Sequence, residues 1–182
     1  MRKLILKMSV SVDGFVGGPN GETDWIADSL DAGASDWLLD TLWDAGVHLM
    51  GSHTYRAMAA HWPGSTEAFA APMNAIPKFV FSRSLREAGW DDSLIVDGDL
   101  AGEIARLKQL PGRDLLAHGG AGFARSLAQL GLIDEYRLLV HPVTLGAGLP
   151  LFSALDAPRK LRLVGVTPFA GGALAQVYRP AA

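Results

Sequence analysis

The chain has 182 residues, 49% of them hydrophobic and 19% charged, a globular balance that gives a sizeable core and excludes long disorder. Its net charge is −3 and no run of Lys or Arg exceeds two residues, which excludes the basic stripe a nucleic acid needs but leaves room for one phosphate on a small ligand. The absence of cysteine excludes disulfides, thiolate metal sites and cysteine nucleophiles, and fits a reducing, cytoplasmic setting.

Residues 3–12 read as a strand running into Asp13-Gly14; Lys7 and Asp13 interrupt the apolar run and no small-residue cleavage site follows, so it is not a signal peptide. Gly14 to Asp24, with four glycines and Pro19, predicts a long mobile loop. Ser35 is the expected cap of a helix to about Ala45, whose inward stripe is Trp37, Leu38, Thr41, Leu42 and Ala45. Val47 to Met50 is a buried strand ended by Gly51, and Ser52 to Ala60 a helix. Pro63 to Asn74 is irregular, with room for a helical turn.

Strands follow at 78–81 and 94–96, then an amphipathic helix over 100–110 and a strand at 115–117. A glycine-rich turn, Gly119 to Gly122, leads into a helix through Leu130, and Glu135 to His141 is a strand. After a Gly- and Pro-rich loop over 142–150, two strands at 160–166 and 173–178 flank a hairpin loop, Pro168 to Gly172. No 18 consecutive residues are apolar, so no membrane-spanning helix is expected. Strand–helix alternation with an antiparallel finish predicts one α/β unit over 1–182: a mixed, mostly parallel sheet flanked by helices, with no repeat or linker.

Three junctions at expected strand ends carry candidate chemistry, because ligands of open α/β sheets sit at the carboxyl ends of strands. At Gly51-Ser52-His53-Thr54 the backbone turns tightly and opens a helix, whose free amides suit a pyrophosphate; a plain helix capped by Ser52 or Thr54 is the other reading. At Ser82-Arg83 a hydroxyl and a guanidinium can grip a phosphate, or Arg83 is a surface side chain. At Gly119-Gly120-Ala121-Gly122 paired glycines allow close backbone approach to a dinucleotide, or form only a tight turn. The G-x-G-x-x-G, Walker and G-x-S-x-G patterns are all absent, and the five histidines show no metal-ligand spacing, so no metal is expected.

Together, Ser9-Val-Ser-Val-Asp-Gly-Phe-Val16, Gly51 to Tyr55, Val80-Phe-Ser-Arg83, Gly119 to Gly122, Leu132-Ile-Asp-Glu-Tyr136 and His141-Pro-Val-Thr-Leu-Gly-Ala-Gly-Leu-Pro-Leu-Phe152 resemble, in this order, the dihydrofolate-reductase-like superfamily. The nearest likeness is the reductase domain of the riboflavin-biosynthesis deaminase–reductase; the zinc deaminase signature cannot form without cysteine. The resemblance implies a three-layer α/β/α sandwich with NADPH across the carboxyl ends of the central strands. It implies that Gly51, Ser52, His53 and Thr54 stand at the family's G-R-x-T-Y phosphate turn. Ser82 and Arg83 would meet the adenosine phosphate, and Gly119, Gly120, Ala121 and Gly122 would lie under the pyrophosphate and nicotinamide. The loop after Asp13 corresponds to a flexible lid. Ser52 replaces the family's arginine, which removes a charge-assisted contact worth about 1.5–3 kcal/mol, partly offset by His53 or Arg83.

On the substrate side, the resemblance assigns Asp36 the role of the first-helix acid that binds a pterin edge, a catalytic and substrate-binding candidate; alternatively Asp36, Asp40 and Asp44 form one solvated face. Trp25 is a pocket residue or core packing, and Asp13 a proton relay or a turn residue. The expected activity is NADPH-dependent hydride transfer to a small pterin-like, pyrimidine or carbonyl-bearing metabolite, the alternative a non-catalytic dinucleotide- or pterin-binding protein. A homodimer through the apolar C-terminal edge is expected.

Overall fold

Period-two alternation in the first strand divides the interior in two. The computed structural model describes residues 1–153 and 155–181. In β1 (Leu4–Ser11), Leu4, Leu6, Met8 and Val10 face one side of the sheet and Ile5, Lys7, Ser9 and Ser11 the other. The first set packs against Ile104 and Leu107 of α4 (Leu100–Gln109) and Ala124 and Leu127 of α5 (Ala121–Gln129). On the opposite face Ile5 joins Leu42 of α1 (Ala32–Trp43), Tyr55 of α2 (Ser52–His61) and Met73 of α3 (Ala70–Ala75). Each fully buried leucine, such as Leu4, Leu6 or Leu49, contributes about 1.5–3 kcal/mol.

The remaining strands are β2 (Val47–Gly51), β3 (Lys78–Phe81), β4 (Ser93–Val96), β5 (Leu115–His118), β6 (Glu135–His141), β7 (Leu161–Pro168) and β8 (Leu174–Pro180). The sheet order is β4-β3-β2-β5-β1-β6-β8-β7. Contacts through β6 are parallel, while β8 pairs antiparallel with both β6 and β7. This is the expected mixed, mostly parallel sandwich with an antiparallel C-terminal finish. The sheet has edges at β4 and β7, and on β7 Leu163, Val164 and Val166 are exposed.

Two local expectations need correction. Helix α1 begins three residues before Ser35, because Asp31 is the cap: its carboxylate accepts from the Ala34 amide at 2.8 Å and from the Gly171 amide at 2.6 Å. An aspartate caps as well as a serine, and this one also ties the helix start to the β7–β8 hairpin. Asp36 therefore falls in the second helical turn. The loop after Asp13 is also less free than its glycines imply. Its end forms a 3-10 helix, Asp24–Ser29, and its start is clasped by the loop after β6. Val16 N–H donates to Leu149 O at 2.8 Å, Leu149 N–H to Gly17 O at 2.9 Å and Leu151 N–H to Gly14 O at 3.0 Å. A Cβ at Gly148 would run into the Gly17 carbonyl.

Asp13 locks this clasp. Its carboxylate accepts from the Ser11 hydroxyl at 2.6 Å, the Gly146 amide at 2.7 Å and the Leu145 amide at 3.1 Å, and these bonds, the Ser11 one foremost, hold its pKa below the usual aspartate value. The lock is complete above the ordinary carboxylate range and lost as pH falls through the lowered value. Asp13→Ala is expected to speed amide exchange at Leu145 and Gly146 and proteolysis of the 142–150 loop, with little change in global unfolding.

Candidate functional site

Three of the parallel strands, β3, β2 and β5, end at the three glycine- or serine-bearing junctions, and β5 neighbours β1. Helices α2 and α5 both start at this rim after a glycine, and neither has a side-chain cap. Their first-turn amides are thus left for a ligand or water. Thr54 does not cap α2: its Oγ1 donates across to Gly119 O at 3.0 Å, so the two chain reversals are bonded to one another. Gly120 sits at φ +87, and a Cβ there would stand 2.5 Å from Thr54 Oγ1. A Cβ at Gly51 would lie 3.3 Å from Phe123 Cβ. Glycine at 51 and 120 thus leaves room for the Phe123 and Thr54 side chains that pack over the two turns, and at 120 it also permits the positive φ.

Two hollows flank this double turn. One, about 480 Å³, is lined by Phe81, Ser82, Arg83, Asp97, Asp99 and Phe123, among others. The Phe81 and Phe123 rings stack with centroids 5.3 Å apart and form its wall. Ser82 Oγ accepts from the Leu85 amide at 2.9 Å, which fixes the turn and leaves its proton to donate. Arg83 is exposed and makes no ion pair among the described residues.

The other hollow is a groove of about 360 Å³ between β1, β5, α2 and the clasped loop, and its lining includes Lys7, Ser9, Ile26, His53, Met58 and His118. Of the sequence-predicted residues, His53, Thr54, Gly119, Gly120 and Ala121 line this groove, and Ser82 and Arg83 line the other hollow. Gly51, Ser52 and Gly122 belong to the double turn itself and line neither. Trp25 lies beside the groove, outside its lining: its indole N–H donates to Glu22 O at 3.1 Å and its ring meets His141 edge-on with centroids 5.4 Å apart. Asp36 is exposed on α1 and lines neither hollow; Asp40 and Asp44 are exposed too, the pattern of a solvated face.

The structure adds polar residues that sequence reasoning passed over. Lys7, counted only as a break in an apolar run, reaches into the groove from the centre of the sheet. It has no hydrogen-bond or ion-pair partner among the described residues, and burial alone brings its pKa down to about 8. Its Cα neighbours in register are His118 on β5 and Arg137 on β6. His141 is fully buried, its Nδ1 2.8 Å from Ser29 Oγ and its Nε2 without a partner among the described residues. A charged side chain in the middle of a central strand is the signal that would have singled out Lys7, whereas His141 stands at the end of β6 and carries no such signal.

A model of the RibD C-terminal domain matches residues 2–175. The uncharacterized protein YyaP of Bacillus subtilis (strain 168) is 32% identical over 184 residues, covering 97% of this chain and 94% of its own. Among solved structures, a Shewanella sp. PV-4 protein assigned to riboflavin biosynthesis superposes with a TM-score of 0.79 at 22% identity, over 99% of each chain. Dihydrofolate reductase from Enterococcus faecalis, complexed with NADP(H), does so with a TM-score of 0.66 at 13% identity, over 99% of this chain and 97% of that one. On its sequence match, and with the fold to support it, this chain belongs to the RibD C-terminal domain family, a family of dihydrofolate-reductase-like fold.

Proposed function

We propose that the protein is an NADPH-dependent reductase that transfers a hydride to a small pterin-like, pyrimidine or carbonyl-bearing metabolite. The observation that carries the reading is the pair of uncapped helix starts locked by the Thr54–Gly119 bond, with Arg83 in the hollow on one side and an unpaired lysine in the groove on the other. This donor set fits a phosphorylated dinucleotide: amides of Ser52, His53 and Thr54 and of Ala121 and Gly122 suit a pyrophosphate. Ser82 and Arg83 suit the adenosine-side phosphate. When bound, NADPH supplies the hydride.

The chain's own part is to orient, to exclude water and to deliver a proton. The clasped loop covers the groove, and Ile26 and Met58 give it an apolar wall. Lys7, not Asp36, is proposed to meet the substrate. With a pKa of about 8, its Nζ is protonated at neutral pH yet weakly enough held to pass a proton to the heteroatom beside the reduced carbon. Ser52 brings no cation to the double turn, and Asp97 and Asp99 share the hollow with Arg83, so the preference for NADPH over NADH is weaker than a second arginine would give. The missing cation also favours the second reading, a non-catalytic dinucleotide- or pterin-binding protein.

Titration with NADPH and NADH, followed by cofactor fluorescence, is expected to show binding of both with NADPH tighter; binding of neither rejects both readings. Adding dihydrofolate, dihydropterins and aminopyrimidinones and following NADPH absorbance is expected to reveal consumption. Binding without consumption by any of them favours the second reading. The exposed apolar edge of β7 supports a homodimer, which light scattering measures.

A further inference from the structure

Two buried histidines behind the groove form a chain with a definite direction. His118, only 2% exposed, closes β5 and lines the groove, and its Nε2 lies 2.8 Å from Nδ1 of His48, in the fully buried centre of β2. The rings meet edge to face, at 76° with centroids 4.5 Å apart. Beyond His48, its Nε2 lies 3.4 Å from the Pro72 carbonyl oxygen. Burial foremost keeps both rings neutral at pH 7: His48, also beside Lys78 and Lys7, falls to about 4, and His118, also beside His48 and Lys7, falls well below its ordinary value.

The carbonyl end sets the direction. A carbonyl oxygen only accepts, so the proton of neutral His48 is on Nε2 and its Nδ1 is bare. His118 must then donate from Nε2, which leaves its own Nδ1 bare. The opposite arrangement would set the Nε2 lone pair of His48 against the lone pairs of Pro72 O at 3.4 Å, too close for a water between them. Lys78, another donor on this face, is engaged with Asn74 O at 2.8 Å and Asp91 O at 2.9 Å. His118 Nδ1 has no hydrogen-bond partner among the described residues, and is not one of the atoms sealed from the groove.

We propose that His48 is a positioning residue: anchored on the Pro72 carbonyl, it holds His118 as the Nε2–H tautomer, whose bare Nδ1 accepts a hydrogen bond from an N–H or O–H of the ligand in the groove. Lys7, the register neighbour of His118, supplies a donor beside this acceptor. Neighbouring donor and acceptor match a cyclic amide edge, in which N–H adjoins C=O. The ligand half of this inference rests on the groove being the substrate site; the tautomer half does not.

Histidine-selective nitrogen-15 correlation spectra of the whole protein at neutral pH test it without cofactor, with signals assigned by His53→Gln, His61→Gln and His141→Gln. The expected result is a bare Nδ1 and a protonated Nε2 on both His48 and His118. A His118 protonated on Nδ1, or a mixture, overturns the proposal. His48→Gln, whose amide can accept from His118 and donate to Pro72, is expected to keep the His118 tautomer, and His48→Leu to lose it; the same tautomer in both overturns the positioning role. If His48→Leu does not fold, the wild-type spectrum decides. For the ligand half the probe is 4(3H)-pyrimidinone against its N3-methyl derivative: the parent is expected to shift His118 Nδ1 and the methylated form to leave it unmoved. An equal response, or none to either, overturns selection for an N–H. NADPH binding takes no part in these readings, so failure of the reductase proposal is recognised separately.

Discussion

Lys7→Met is expected to abolish turnover while making the protein more stable. An ammonium held at a pKa of about 8, against the ordinary 10.5, destabilises the folded state at neutral pH, on the order of 2 kcal/mol after screening by groove water. Methionine matches the stem of lysine and carries no charge, so the melting temperature is expected to rise by several degrees at pH 7. The sign with pH is definite. The unfolded chain binds the Lys7 proton more tightly, so wild-type stability climbs between about pH 8 and 10.5 while Lys7→Met gains nothing there. The advantage of the variant therefore shrinks and vanishes at high pH. Turnover should fall above about pH 8 as Nζ loses its proton, and Lys7→Arg should carry activity to higher pH if the charge alone matters. Equal melting temperatures at pH 7, together with full activity, would show that Lys7 is neither desolvated nor used.

Gly120→Ala is the second large effect. An alanine at φ +87, ψ 105, outside the left-handed helical region, costs about 1–3 kcal/mol in the backbone. Its Cβ would also stand 2.5 Å from Thr54 Oγ1, so Thr54 must turn away and lose its bond to Gly119 O, roughly 1 kcal/mol more. The fold survives that loss, but the two reversals no longer present their amides together, and NADPH affinity is expected to drop at least about tenfold. Thr54→Val removes the bond without straining the backbone and should give a smaller loss of the same kind. Unchanged affinity in Gly120→Ala, by fluorescence titration, would detach the double turn from cofactor binding.

The elements were legible where a local pattern decides them. The strands at 78–81 and 135–141 coincide with β3 and β6, because short β-branched and aromatic runs between turn residues leave little alternative. The start of α1 was not legible, since Asp31 and Ser35 are comparable caps and the choice falls to Gly171, 140 residues further along the chain. The double turn was legible through its glycines, although the bond that unites it runs between residues 65 apart. Lys7, His48 and His118 were not: each is the lone ionisable residue of its strand, and only the assembled sheet brings them together. Asp36 was singled out by likeness to a family role, whereas its place on the solvent face follows from the helical stripe of Leu38, Thr41 and Leu42 that turns inward.

Backbone amides at two bonded chain reversals holding a phosphorylated dinucleotide are the core of this account, and amide chemical shifts during an NADPH titration of the nitrogen-15-labelled protein test it most directly. The expected result is a joint, saturable shift of Ser52 to Thr54 and of Gly119 to Gly122, with Arg83 following for NADPH and not for NADH. Saturating NADPH that leaves both reversals unmoved would contradict it.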